Sequence, residues 1–141
     1  MKRTIGLYEG VALYVVAVLG SVPFRFYDPV RSIVEDTKEI IENDYWKTYY
    51  LQDIALEVGV SKFHLNRVFK HHTGYTPRTY LEKVRINHAR QLLQTANLNG
   101  IEIGFQVGYQ STSSFYKAFQ RCNGCTPKQF QVECLKAKKY K

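Results

Sequence analysis

Five side chains between positions 62 and 70 combine hydrogen-bonding groups, an aromatic ring and positive charge at spacings of one helical turn. On a helix they would lie along one face: Lys62, Phe63, Asn66, Arg67 and Lys70. Arginine can bind a guanine edge through two hydrogen bonds, asparagine can bind adenine, and an aromatic ring can contact the thymine methyl group. Lysine neutralises phosphate. We therefore interpret the first four as base-contacting residues and Lys70 as a phosphate contact.

A second polar set follows about fifty residues later in the chain. Its members that we interpret as base-contacting are Thr112, Ser113, Tyr116 and Lys117. We interpret Gln120 and Arg121 as phosphate contacts. Most polar helical faces are only solvated surfaces. Here the same pattern recurs within basic sequence, which favours a function in binding nucleic acid.

The charge of the chain also indicates a polyanionic partner. Lysine and arginine number 20 against 12 aspartate and glutamate, which gives a formal net charge of +8, and the isoelectric point is about 9.4. Residues 62–90 and residues 117–141 each hold seven basic side chains against one acidic side chain. We therefore expect two separate zones of contact with double-stranded DNA.

The chain contains an internal repeat. At an offset of 49 the matching pairs are Ile54 with Ile103, Val58 with Val107 and Gly59 with Gly108. At an offset of 50 they include Leu65 with Phe115, Phe69 with Phe119, Gly74 with Gly124, Thr76 with Thr126 and Pro77 with Pro127. One supersecondary unit is therefore used twice, and two copies are too few for a solenoid.

Each copy predicts a helix, a glycine turn and a second helix. In the first copy, apolar residues follow the helical period until Gly59 ends the helix. Ser61 is a good N-cap for the next helix, which Gly74 ends. Thr76 and Pro77 are typical of the start of a long helix. We predict an all-α fold of about seven helices, with helix-turn-helix units at about 51–73 and 100–122, a linker helix at about 77–95 and a C-terminal helix at about 127–136.

The predicted linker helix has a length that suits DNA. Nineteen residues from Pro77 to Thr95, at a rise of ~1.5 Å each, span roughly 28 Å. Successive major-groove faces of B-DNA lie ~34 Å apart. We therefore expect a monomer to place one helix in each of two adjacent grooves of an asymmetric site.

These residues resemble the DNA-binding domain of the AraC-type (AraC/XylS family) transcriptional regulators. In the first copy and the linker, the matching positions are Ile54, Ala55, Gly59, Ser61, Leu65, Phe69, Gly74, Thr76, Pro77, Tyr80, Leu81, Arg85, Ala89 and Leu92. In the second they are Ile103, Gly108, Tyr109, Ser111, Phe115, Phe119, Gly124, Thr126, Pro127 and Phe130. The resemblance implies a domain at 28–141 that regulates bacterial transcription, as an activator with RNA polymerase as a further partner. It places base-facing positions at Lys62, Phe63, Asn66, Arg67, Thr112, Ser113 and Lys117.

The chain departs from the family pattern at three positions. Gly104 replaces a helical alanine, Gln131 replaces an arginine, and Tyr50 replaces a small N-cap residue. An interior glycine costs ~1 kcal/mol relative to alanine, and Gly100 and Gly108 flank Gly104 at intervals of four. We therefore predict that the second unit is the less stable half and contributes more weakly to DNA binding.

The sequence does not support other site chemistries. Cys122 and Cys125 form a CxxC pair, but no second pair or histidine spacing completes a zinc site. No phosphate-binding glycine loop, nucleophile motif or catalytic carboxylate pair occurs. We therefore expect no enzyme activity, no metal and no cofactor. With Cys134, the cysteines are an odd number near the C-terminus, which favours a reducing cytoplasm.

Two alternatives remain open at this point. A helical adaptor could bind protein through the same faces and bind DNA only weakly or without sequence preference. Residues 11–19 form an apolar run that could hold a regulator at a membrane, although a spanning helix needs ~20 residues. We expect residues 1–27 to form an N-terminal apolar segment and linker, and we expect no membrane partner.

Overall fold

The computed structural model describes residues 28–140, and all the regular elements within this range are helices. They are α1 (Pro29–Asn43), α2 (Leu51–Glu57), α3 (Lys62–Thr73), α4 (Pro77–Thr95), α5 (Gly100–Gln106), α6 (Thr112–Asn123) and α7 (Pro127–Lys139). The predicted all-α fold is confirmed. By its internal contacts the chain divides into two parts, one before and one after the boundary between Ser32 and Ile33. Both repeats lie in the second part. The predicted segment at 1–27, with its apolar run at 11–19, lies outside the described residues.

None of the helices between residues 28 and 140 combines the length and the hydropathy that a membrane crossing requires.

Hydroxyl side chains fix where four of the helices begin. Ser61 and Ser111 accept hydrogen bonds from the third backbone amides of α3 and α6, each at 3.2 Å. Thr76 and Thr126 cap α4 and α7 in the same way, each before a proline in the first turn. In contrast, the side chain of Tyr50 makes no capping bond to α2. The first unit therefore begins on a weakly capped helix.

The second unit begins on a well-capped helix. The Asn99 side chain accepts hydrogen bonds from the amides of Ile101 and Glu102, each at 3.0 Å. The Glu102 carboxylate accepts one from the Asn99 amide, also at 3.0 Å. This reciprocal pair is a capping box, which satisfies amides that α5 itself cannot pair.

Two hydrophobic clusters attach the two units to α4. The first consists of Ile41, Ile54, Ala55 and Leu65, with Tyr80, Leu81 and Val84 of α4 packed against it. The second consists of Ile86, Ala89, Leu93, Ile103, Val107, Phe115, Ala118 and Phe119. The N-terminal half of α4 thus serves the first unit, and its C-terminal half serves the second. This single helix therefore positions both units.

α1 completes the core of the first unit. Ile41 is fully buried, and Ile33 and Ile40 pack against the same cluster. The Tyr80 hydroxyl of α4 donates a hydrogen bond to the Glu42 carboxylate of α1. Burial, followed by this bond to Glu42, raises the pKa of Tyr80 to about 12. The tyrosine is therefore a neutral donor at physiological pH.

At one pair of packed positions, the two repeats differ in how size is divided between the short helix and the recognition helix. Gly104 is buried, and a Cβ built on it would lie 2.8 Å from Cδ1 and 2.9 Å from Cγ of Phe115. At the equivalent positions the first repeat has Ala55 and Leu65, both fully buried. A smaller residue on the short helix thus accompanies a larger one on the following helix.

This packing corrects the reason for expecting a weaker second unit. Gly104 supplies the space that the Phe115 ring fills, so its cost as a poor helix former is offset by packing. Gln131, another departure from the family pattern, donates from Nε2 to the Leu98 carbonyl at 3.3 Å and ties α7 to the loop before α5. Because α5 is better capped than α2 and Gly104 is matched in size to Phe115, we expect the second unit to be no less stable than the first.

Candidate nucleic-acid interface

α3 presents its predicted reading face to solvent. Its buried side chains face the core of the first unit. On the opposite side, Lys62, Phe63 and Arg67 are exposed and Asn66 is half-buried. The Phe63 ring is 77% exposed, and the Lys62 ammonium lies over it, 5.1 Å from its centroid. An apolar ring held in solvent beside a cation can contact a thymine methyl group next to phosphate. Lys70 is exposed two turns further along α3.

Arg67 is the side chain on α3 best suited to a guanine edge. Its guanidinium lies 3.4 Å from Nδ1 of His64, one turn earlier. Within residues 28–140, Arg67 makes this one side-chain hydrogen bond, which leaves most of the five N–H donors of the guanidinium for a ligand. His64 therefore orients the guanidinium in part, and most of its donors stay available to a ligand.

α6 presents a more varied face. Ser113 and Lys117 are exposed, and Thr112 is half-buried. Tyr116 is also half-buried, and its hydroxyl lies beside Gly100, where an added Cβ would approach to 3.0 Å. The structure thus leaves Thr112, Ser113 and Lys117 at least partly exposed to solvent, whereas the Tyr116 side chain is directed towards the start of α5.

Arg121 has an ion-pair partner within the protein. Its Nη2 donates to both carboxylate oxygens of Glu82 in α4, each at 2.6 Å. These hydrogen bonds raise the pKa of Arg121. The sequence predicts a phosphate contact for Arg121, and the ion pair competes with that role. A signal for the pair was present, since Glu82 is the one acidic residue in the basic stretch 62–90. Gln120, beside Arg121, is exposed.

The loop between α1 and α2 is anchored on the linker helix, and we call its residues 45–48 the strap. Arg85 donates from Nε to the Tyr45 carbonyl and from Nη2 to the Lys47 carbonyl, each at 2.7 Å. The Tyr45 ring stacks on His88 with centroids 3.9 Å apart and 6° between the planes. Burial lowers the pKa of Arg85, yet a guanidinium stays protonated at neutral pH.

The strap also contacts the turn that precedes α6. A Cβ on Gly108 would lie 2.7 Å from the Trp46 carbonyl oxygen, so this approach of two backbones requires glycine. Gln110 donates from Nε2 to Thr48 Oγ1 at 3.2 Å. Sequence reasoning missed this junction, because its partners lie up to 62 positions apart and no periodicity connects them.

The CxxC pair lies where α6 ends. Cys122 is exposed and Cys125 is half-buried, and both are free thiols. Burial, followed by the charge of Glu82, raises the pKa of the Cys122 thiol, which disfavours the reactive thiolate. No three His, Cys, Asp or Glu side chains between residues 28 and 140 are grouped so that they could hold a metal ion.

Comparison with known proteins identifies the family. The profile of a helix-turn-helix domain family matches residues 54–132, which include both repeats and the linker helix. A transcriptional regulator of Chromobacterium violaceum with an AraC-type DNA-binding domain has the same fold, with a TM-score of 0.69 and 29% identity over 74% of this chain and 93% of that one. The transcriptional activator AarP of Providencia stuartii is 34% identical over 72% of this chain and 75% of its own length. The chain belongs to the AraC-type family of transcriptional regulators.

The fold of this AraC-type chain also occurs in a protein solved with DNA. The DNA-binding domain of AdpA, in complex with a target DNA, gives a TM-score of 0.64 at 22% identity, over 76% of this chain and 93% of that one. The resemblance drawn from the residue pattern is confirmed, and the regulator relatives support it over a helical adaptor. The chain spans less than half the length of the first curated relatives that it matches.

Proposed function

We propose that this AraC-type chain is a sequence-specific DNA-binding regulator of transcription whose recognition helices α3 and α6 read two adjacent major-groove segments. The observation that carries the proposal is the repeated geometry of the two units on α4. Each recognition helix follows a glycine turn, begins at a serine cap and exposes a polar face. The 19 residues of α4 span roughly 28 Å, close to the ~34 Å between neighbouring groove faces.

The chemistry of each side chain on the two reading faces indicates its role. From α3, base edges are contacted by Lys62, Phe63, Asn66 and Arg67, and from α6 by Thr112, Ser113 and Lys117. Tyr116 supports the α6 face from its half-buried position rather than reading a base. Lys70 and Gln120 contact phosphates, whereas Arg121 stays paired with Glu82 and adds its charge to the field around the site.

The same geometry supports a monomer on an asymmetric site. The two recognition helices differ in sequence and stand in tandem within one chain, so no two-fold symmetry of the site is needed. Activation would use a contact with RNA polymerase on a face other than the reading helices. The protein acts in the cytoplasm, where bacterial DNA lies.

Arg67→Ala and Lys70→Ala separate base reading from phosphate binding. We expect Arg67→Ala to cost ~1–3 kcal/mol on the preferred site and to relax the preference at one base pair. Lys70→Ala should weaken binding to all duplexes about equally and reduce the slope of log K against log salt by about 1. Anisotropy titrations on the preferred duplex and on its single-base variants, at two salt concentrations, measure both effects. The division of roles is wrong if both substitutions weaken all duplexes to the same extent.

A further inference from the structure

We propose that the strap fixes the spacing between the two half-sites that the protein accepts on DNA. This inference rests on the proposed function, because it concerns how two recognition helices on one chain are held in register. It assigns a positioning role to Arg85 and Thr48, neither of which lies on a reading face.

The need for a second connection follows from the way the units are attached. The hydrophobic core of each unit packs on its own half of α4, and the Arg121–Glu82 ion pair of the second unit is also made to α4, so without the strap these contacts would join the units through α4. A long helix can bend, and any bend in α4 would move one recognition helix relative to the other. The strap provides a second connection, because it joins the residues just before α2 to the turn between α5 and α6 of the second unit.

The contacts of the strap lie beside the first helix of the first unit and the recognition helix of the second. Thr48 stands three residues before α2, and its partner Gln110 stands two residues before α6. Between these ends, Arg85 of α4 donates to two backbone carbonyls of the strap, those of Tyr45 and Lys47. The Trp46 backbone meets Gly108 without space for a side chain. A change in the angle between the units would have to break these contacts together.

The geometry of DNA converts this rigidity into specificity. One added base pair moves the next half-site by ~3.4 Å and turns it by roughly 35° about the helix axis. A rigid pair of readers cannot follow that displacement and loses the contacts of one unit. A pair joined only by α4 can follow it in part, so loosening the strap should make the protein tolerant of altered spacing.

The test measures spacing preference in variants of the strap. The duplexes carry the preferred site with one base pair inserted or removed between the half-elements. Arg85→Lys replaces a planar fork by a single ammonium group, which cannot hold both carbonyls in the same geometry. Thr48→Val removes the acceptor for Gln110 at almost constant volume. The matched control is Arg78→Lys, the same change at an exposed position of α4.

We expect wild type and Arg78→Lys to bind the altered duplexes about tenfold or more weakly than the preferred one, as for a lost base contact. In Arg85→Lys and Thr48→Val this penalty should shrink to about threefold or less, while unfolding temperature tracks any loss of stability separately. If Arg85→Lys does not fold, Thr48→Val decides the question.

Three outcomes would overturn the inference, and the third would overturn the proposed function as well. Folded strap variants that keep the full spacing penalty show that the strap does not set the register. A control that loses the penalty as much as the strap variants shows a generic effect, with the same conclusion. A wild-type protein with no two-part site contradicts the proposed function itself, and the inference falls with it.

Discussion

Gly104→Ala is expected to destabilise the protein by ~1–3 kcal/mol, although alanine is the better helix former by ~1 kcal/mol. The added Cβ would lie 2.8 Å from Cδ1 and 3.1 Å from Cβ of Phe115. Because the contact involves the root of that side chain, rotation of the ring alone cannot relieve it, and α5 or α6 has to move. Urea unfolding followed by circular dichroism measures the loss.

A double substitution tests whether size complementarity is the cause. Phe115→Leu alone should leave a cavity and also destabilise the second unit. Gly104→Ala with Phe115→Leu recreates the Ala55 and Leu65 pair of the first repeat. The double variant should therefore lose less free energy of unfolding than the two single variants lose together. We expect a coupling free energy of ~1–3 kcal/mol, within the range for residues in contact. Strictly additive losses would contradict this account of the packing.

Gly108→Ala is expected to cost ~3 kcal/mol or more, whereas Gly59→Ala should cost only ~1–2 kcal/mol, the penalty of a left-handed conformation. The two glycines occupy equivalent positions of the repeat, with φ of +99° and +75°. An added Cβ on Gly59 meets nothing within 4 Å. On Gly108 it would lie 2.7 Å from the carbonyl oxygen and 2.9 Å from Cα of Trp46, both backbone atoms that cannot move alone.

The difference between these variants isolates the contact with the strap. Thermal and urea unfolding of both proteins, side by side, give the two free energies under one set of conditions. Because both variants pay the conformational penalty, only Gly108→Ala also displaces the Trp46 backbone. Equal losses in the two variants would mean that the strap yields freely, and they would weaken the case that it holds the units in register.

Local structure was predictable from the sequence because its causes are local. Ser61, Ser111 and Thr76 stand within three residues of the amides they cap. Likewise, the alternation of buried and exposed positions on α3 follows from the helical period, which leaves Lys62 and Arg67 in solvent. The internal repeat then allowed the interpretation of one unit to be checked against the other.

Contacts between distant residues could not be read from the pattern. Glu82 and Arg121 are 39 positions apart, and although Glu82 stands out as the one acidic residue in 62–90, nothing in the spacing pairs it with Arg121. The strap is held partly through backbone carbonyls, and these carry no side-chain signal. Gly104 is different, because the repeat did contain its explanation: the alanine-to-glycine and leucine-to-phenylalanine changes occur together. Without its partner Phe115, Gly104 indicates only a less stable helix.

Selection of the preferred site from random duplex DNA tests the central claim most directly. Titration of the selected site and of a scrambled control at two salt concentrations would follow. Two readers on one chain predict a two-part, non-palindromic motif whose elements lie about one helical turn, roughly 10 base pairs, apart. They also predict clear preference over the control at both salt concentrations. A single short element, or salt-sensitive binding without any motif, would contradict the account.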